Sequence, residues 1–368
     1  MGKPRFRSNL NSMAKSPLIL AALAKAAVPH LNFHEVKSLS ANSNGAFDTA
    51  LLTATSGDHY VIRVANNQTA GAEQDTELRA LKALGKTDRM RLPFKITNLV
   101  GEVKDEKGSR ALVFEFVYGN PTDIGSVPAD SALSHSIAKA IAAIHNIDTA
   151  IIEDAHLPSF ESAEIVRGRV AELDRFAATG KVPSILLSRW EQALEDVSLF
   201  RFKPTVIHGS LSGDTLLTLD NDVAGVLSWS SMRISDPAED FAWILGAGIH
   251  ELSESIIDVY RQSHYNVDDA LRLRATLYSE FEIARWLMHG IAKKDSEIID
   301  DAVSMLEVLA EDVATGAVGR LISAPIVIAA PQVIEVTAPA DDVTTRPIDI
   351  SDIASKSEES SKSDSELF

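Results

Sequence analysis

The chain contains no cysteine. Disulfides and thiolate metal sites are thereby excluded, and the redox compartment is left unencoded. No apolar run reaches the roughly 18–20 residues needed to span a bilayer, so no membrane partner is expected. Basic charge is scarce: 35 Lys and Arg stand against 52 Asp and Glu, a net charge of −17. That balance argues against a nucleic-acid partner held by nonspecific electrostatics. It suits a cationic ligand, although much of the excess lies near the C-terminus and on helix surfaces. Internal repeats and heptads are missing as well. What remains is 368 residues, 45% of them hydrophobic, enough for one large or two modest domains with sizeable cores.

The most informative stretch is 206–243, VIHGSLSGDTLLTLDNDVAGVLSWSSMRISDPAEDFAW. The apolar pair Val206–Ile207 leads into His208-Gly209 and a short polar loop. Residues 216–227 read as a hairpin around the turn Asp220-Asn221-Asp222. Ser235-Asp236-Pro237 then starts a helix, with Pro237 at its first position and the run continuing through Phe241–Leu245. A loop, a hairpin and a capped helix together make a cradle that presents polar groups at the loop.

This stretch resembles the catalytic segment of the aminoglycoside and macrolide phosphotransferases, small-molecule kinases with a protein-kinase-like fold. Their pattern is His-Gly-Asp-Leu-His, two residues, Asn, a hairpin ending near Asp-Trp, then Asp-Pro and a helix. His208, Gly209, Leu211, Trp229, Asp236, Pro237 and Asp240 match it. Ser210 stands at the place of the catalytic Asp and Ser212 at that of a common His. Thr215 stands at the place of the metal-binding Asn, and Ser228 where a metal-binding Asp often precedes the Trp. The resemblance covers about residues 13–316 and implies an α+β, bilobal fold. A small β-rich lobe (13–118) would carry the nucleotide, and a larger helical lobe (119–316) the degenerate catalytic loop.

These substitutions weigh on activity. Phosphoryl transfer to a hydroxyl needs a carboxylate to position the acceptor and take its proton, and oxygen ligands to hold magnesium on the phosphates. A serine hydroxyl is a poor base and a poor stand-in for an anionic ligand. Loss of a general base costs about 10²–10⁴-fold in rate. Asp214, next to Thr215, reaches the metal if the loop shifts register; as a residue beside Gly213 it also reads simply as a solvent-facing turn carboxylate. Asp236 is a second carboxylate for a rearranged metal site, although it and Asp240 suit a helix N-terminus and its first turn, a structural role, whatever the activity.

In the small lobe the strands are expected at 31–39, 49–55, 59–64, 91–100 and 111–118, with a helix over 73–84. The loop 40–48 occupies the place of a phosphate cradle but carries only Gly45. The resemblance places Arg63 where a phosphate-contacting lysine is expected, and Glu77 where a helix glutamate pairs with it. An Arg63–Glu77 ion pair is therefore predicted. Val117 and Tyr118 fall at the interlobe hinge, where backbone groups meet an adenine. ATP or GTP with Mg2+ is the cofactor implied if nucleotide binding is retained.

In the large lobe helices are expected over 130–146, 162–179, 184–197, 253–263, 267–291 and 296–315, from apolar residues at three- and four-residue spacing. His145 ends the first and is expected to fix the following turn. Before the small lobe, four basic residues precede the apolar run 16–24, much as in a secretory signal. Ser16 followed by Pro17 reads equally as a capped helix, and Lys25 breaks the run. A structural helix in a cytoplasmic protein is the reading adopted here, with residues 1–12 a leader outside the fold. After residue 316 the chain is apolar at 326–336, a segment too hydrophobic for a simple linker and suited to docking on the large lobe or on a partner; the acidic, Ser-rich part that follows is expected to be disordered.

Three functions compete on these grounds. One is a family member with a decayed catalytic set that binds a nucleotide or a small ligand. The second is an active kinase for a macrolide, aminoglycoside or metabolite with a rearranged metal site. The third is a non-catalytic scaffold acting through its C-terminal tail. The oligomeric state is not encoded.

Overall fold

The computed structural model describes residues 15–39, 45–106, 108–264 and 267–322. The leader 1–12, most of the loop 40–48, the apolar segment 326–336 and the acidic tail lie outside the described residues.

Helix α1 (Pro17–Ala27) opens the described chain, with Ser16 accepting from the Ile19 N–H and Pro17 at the first turn. Leu20 and Ala24 and the following Val28 are buried against the sheet, so the run at 16–24 is a packed helix. That sheet has five strands in the order β1-β2-β3-β6-β5. They are β1 (Phe33–Ser38), β2 (Phe47–Ala54), β3 (His59–Ala65), β5 (Leu99–Lys104) and β6 (Arg110–Glu115), and every pairing is antiparallel. Alternation puts Ala50, Leu52, Ile62, Val64, Ala111 and Val113 in the core shared with α1. Leu112 and Phe114, on the opposite face, join the main core.

Helix α2 (Gln68–Ala83) starts earlier than the sequence predicts, because Asn67 caps it by accepting from Ala70 N–H. The expected strand over 91–100 does not form as one piece. The chain makes α3 (Lys86–Arg91), then β4 (Lys95–Ile96), and only then β5. Pro93 has no N–H to give a ladder, and the Arg89 guanidinium gathers the carbonyls of Leu81, Leu84 and Thr97 into a tight corner. β4 leaves the first sheet and pairs in parallel with β10.

A second sheet runs in the order β4-β10-β9-β7, where β7 is Asn120–Pro121, β9 Leu216–Leu219 and β10 Asp222–Val226. The expected strand to Tyr118 stops at Glu115, since the chain there crosses from β6 to β7 and changes sheets. The remaining short pair joins β8 (Thr205–Ile207) to β11 (Arg233–Ser235). The rest is helical: α4 (Ala132–His145), α5 (Thr149–Asp154), α6 (Ser162–Ala178), α7 (Ser184–Glu195), α8 (Ala242–Leu245), α9 (His250–Ser263), α10 (Leu271–Lys293) and α11 (Ser296–Thr315). The short α5 has too few turns for periodicity to reveal it. The helix expected from Pro237 begins as a 3₁₀ stretch, Pro237–Phe241, and becomes α8. Trp190, Phe176 and Phe281 stack edge to face at the centre of this helical core. Among the described residues no helix is long and apolar enough to cross a membrane.

Candidate functional site

The loop between β8 and β9 carries the polar cluster singled out above. Its shape is set by Asp240, which is fully buried and accepts the backbone N–H groups of His208 and Gly209 at 2.8 Å each. Burial alone would raise this carboxyl; the hydrogen bond and charge of His145, with the Gly209 N–H, outweigh it and hold it below the usual range. His145 Nε2 lies 3.2 Å from Asp240 and its Nδ1 2.7 Å from the Tyr260 hydroxyl. His145 thus joins α4 to α9 and to the loop's anchor, a wider role than fixing the turn that follows it. Gly209 has φ +79°, and an added Cβ would fall 2.6 Å from Ser231 O and 2.1 Å from Arg233 Nη1. Only glycine fits that turn.

His208 is buried, not cleft-facing. Its Nε2 is 2.9 Å from Leu227 O, and a carbonyl can only accept, so Nε2 carries the proton. Nδ1 is then the acceptor, 3.5 Å from Ser210 Oγ. Burial, with Arg233 adding, lowers the imidazole's pKa and keeps it neutral. Ser210 itself is exposed, and its hydroxyl is also 3.5 Å from Ser228 O.

Thr215 Oγ1 accepts from Ser212 N–H at 2.9 Å and sits 3.2 Å from Ser212 O, so it closes its own loop. Ser228 adopts φ 65°, ψ 57°, a left-handed conformation in which Asp and Asn are several-fold enriched. Asp214 is exposed, at the outer edge of the same loop. Asp236 is unavailable to a ligand. Its oxygens accept from Arg274 Nε at 2.7 Å, the Tyr278 hydroxyl at 2.7 Å and Ala238 N–H at 2.9 Å, all in the core. The expectation that Asp236 serves a rearranged metal site is therefore corrected: its lone pairs are spent on holding α10 and the 3₁₀ turn.

Arg63 and Glu77 form the predicted ion pair, Nη2 to Oε2 at 2.8 Å. The guanidinium lies over the Phe47 ring, 4.2 Å from its centre. Arg63 Nε is buried without a hydrogen-bond partner. Burial raises the Glu77 carboxyl despite Arg63, and the backbone N–H of Trp229 also bonds to it. Trp229 follows Ser228, so the pair in the small lobe and the hydroxyl cluster are linked through one residue. At the crossing between sheets Val117 is buried and packs on Gly225 of β10, where a Cβ would meet its Cγ1 at 2.2 Å. Tyr118 is exposed, and its hydroxyl meets His59 Nδ1 at 2.8 Å.

The donors do not fit magnesium, which takes carboxylate oxygens together with phosphates and water. Thr215 and Ser228 offer neutral hydroxyls, and the described residues hold no group of three or more His, Asp or Glu close enough to share an ion.

A cavity of about 510 Å³ opens beside Ser210 and Ser212. Its wall is a ladder of charge that the sequence reading did not foresee. Arg233 and Arg169 both bind Glu239, at 2.6 and 2.7 Å. Arg169 and Arg285 both bind Glu172, at 3.1 and 2.6 Å, and Arg285 also binds Glu282. The i,i+3 pairs Arg169/Glu172 and Glu282/Arg285 are visible in the sequence as helix spacing. Their joining across α6, α10 and β11 is not.

Fold and site together define a two-lobed, protein-kinase-like phosphotransferase scaffold. The chain belongs to the phosphotransferase enzyme family, which matches residues 38–275. Its structure is similar to that of macrolide 2′-phosphotransferase MphH from Brachybacterium faecium, with TM-score 0.67 and 17% identity, covering 79% of this chain and 98% of that one. It is also similar to a macrolide 2′-phosphotransferase type I (TM-score 0.64, 22% identity, 78% and 96% covered). A third is the GDP and kanamycin complex of APH(2″)-IIIa (0.65, 19%, 81% and 99%). At these identities the likeness is one of fold. No curated protein matches the chain significantly.

Proposed function

We propose that this chain is a phosphotransferase-family protein that binds a nucleotide and a small molecule but has lost efficient phosphoryl transfer. The observation that carries this reading is chemical. At the three positions where the family resemblance calls for acid, amide and acid, the chain presents Ser210 and Thr215 in the loop and Ser228 after β10. Asp214 is exposed, and Asp236 and Asp240 have their oxygens engaged in the core. Nucleotide binding, by ATP or GTP, is supported by the Arg63–Glu77 pair. The buried, unpartnered Arg63 Nε suits a phosphate oxygen. The hinge at Val117 and Tyr118 supplies backbone groups for a base, with residues 13–118 and 119–316 as the two lobes. Structurally similar proteins include macrolide phosphotransferases and a complex with GDP and kanamycin, and these are the ligand classes to try. The packed helix α1 supports a cytoplasmic setting over a secretory one.

The test is a radiolabelled ATP assay with magnesium across macrolides and aminoglycosides. No transfer above the uncatalysed background is expected. Turnover that disappears in Ser210→Ala overturns the proposal.

A second reading, an active kinase with a rearranged site, has one observation in its favour. The neutral His208 Nδ1 faces Ser210 Oγ, a geometry through which a proton from an acceptor hydroxyl can pass to an imidazole. Thermal shift with ATP, with and without magnesium, separates the two. Only the kinase predicts added stabilisation by the metal.

A further inference from the structure

The cavity beside Ser210 is built for an anion. This inference rests on reading that cavity as the family's small-molecule pocket, and it concerns what the pocket accepts.

A polycation such as an aminoglycoside is held by carboxylates that have lone pairs to spare. Only Glu282, exposed and bound through one oxygen, has them on this wall. Its three carboxylates, Glu172, Glu239 and Glu282, each already hold at least one guanidinium, and Glu172 and Glu239 hold two. Burial works to raise the Glu239 carboxyl, but Arg169 and Arg233 outweigh it and keep it ionised; Arg285 and Arg169 do the same for Glu172. Three arginines therefore face three glutamates, and the strong negative charge of the whole chain is cancelled at this point.

Hydrogen-bond capacity is not cancelled. A guanidinium brings five N–H donors in a rigid fork, and carboxylates shared between forks leave donors over. Arg169 Nε is buried without an acceptor. Arg233 gives Nη1 to Ser231 O at 2.7 Å and lies against the Gly209 turn, next to Ser210. The hydroxyls of Ser210 and Ser212 add further donors at the cavity mouth. The surplus is one of hydrogen-bond donors, close to the loop. Oxygen-rich anions satisfy that surplus, whereas ammonium groups add to it.

We infer that the cavity takes a small hydroxylated acid, a carboxylate or a phosphate monoester, in preference to an aminoglycoside. The experiment is isothermal titration of the full chain, without nucleotide and at fixed ionic strength, with gluconate, glucose 6-phosphate and kanamycin. Binding of gluconate or glucose 6-phosphate, with no heat from kanamycin, is expected, and the acid that binds names the anionic group. Two variants test the location from opposite sides. Arg285→Gln removes the outermost guanidinium and is expected to weaken the acid by about tenfold or more, the worth of a charge-assisted hydrogen bond. Glu282→Gln releases that guanidinium from its exposed partner and is expected to tighten it. If Arg285→Gln does not fold, Glu282→Gln decides alone. Kanamycin binding in place of the acids, no binding of either acid, or acid affinity unmoved by the variants overturns the inference. A separate titration with ATP keeps the two readings apart. Acid binding without nucleotide binding ends the proposed function and leaves the anion site; nucleotide binding without acid binding does the reverse.

Discussion

The carboxylate of Asp240 accepts the backbone N–H of Gly209 at 2.8 Å, and so a buried charge from the 3₁₀ turn fixes the loop that carries Ser210. Removing it leaves two backbone donors and His145 without their acceptor in a dry core. Asp240→Ala is expected to cost about 3–5 kcal/mol, in the range for breaking a buried charged pair. Urea unfolding followed by circular dichroism measures it. A loss below about 1 kcal/mol, the net worth of one ordinary hydrogen bond, shows that the anchor is not Asp240.

The backbone at the degenerate positions is already suited to the acidic set. Ser228 holds the left-handed conformation that Asp tolerates, and Thr215 is in the loop that Asn would occupy. The triple change Ser210→Asp, Thr215→Asn and Ser228→Asp is expected to create magnesium-dependent stabilisation by ATP where the natural chain has none. Differential scanning fluorimetry with ATP, with magnesium or with EDTA, reads the gain. Identical curves for both proteins count against the account of lost activity.

Arg63 protects a carboxyl that burial has pushed upward. Arg63→Ala leaves Glu77 alone in the core. Above the folded pKa the cost is that of an unpaired buried charge, about 3–5 kcal/mol. Glu77 has a raised folded pKa, so it protonates in the folded state before it does in the unfolded chain as pH falls. The deficit of the variant is therefore expected to be largest near pH 8 and to shrink toward pH 5. Unfolding midpoints across that range test the sign, and a deficit that grows toward acid contradicts it.

His264 gives the opposite slope. It stacks on Tyr260, and burial, with the nearby His145 charge adding, pushes its pKa down to about 4. The unfolded chain takes up this proton near 6.5 and the folded one only near 4. The stability it contributes is complete above about pH 6.5 and is lost as pH falls toward 4. His264→Gln is expected to flatten the loss of stability between pH 7 and pH 5. Parallel curves for the two proteins refute this assignment.

Much of the frame was readable in the chain. The capped start at Ser16-Pro17, the hairpin over 216–227 and the helix over 296–315 were legible because local turn chemistry and periodicity agree with the final packing. Arg63 and Glu77 were pairable because the family resemblance places them where a strand cation and a helix glutamate meet. The stretch 91–100 misled because its apolar alternation is genuine, yet Pro93 and the Arg89 corner divide it between two sheets. Asp236 was legible as a helix-start residue, but nothing local shows that Arg274 and Tyr278 come to meet it from 38 and 42 residues away. The charged cavity wall was hidden for the same reason: two of its rungs are local pairs, but the wall exists only where α6, α10, β11 and the 3₁₀ turn converge.

A chain of shared charges has no slack. Glu172 serves two guanidinium groups and so does Glu239, so a guest that draws Arg285 inward leaves Glu172 to Arg169 alone. Arg169 also holds Glu239, and Glu239 holds Arg233, which rests on the Gly209 bend. The outer pocket and Ser210 are thus joined by one unbroken run of paired side chains.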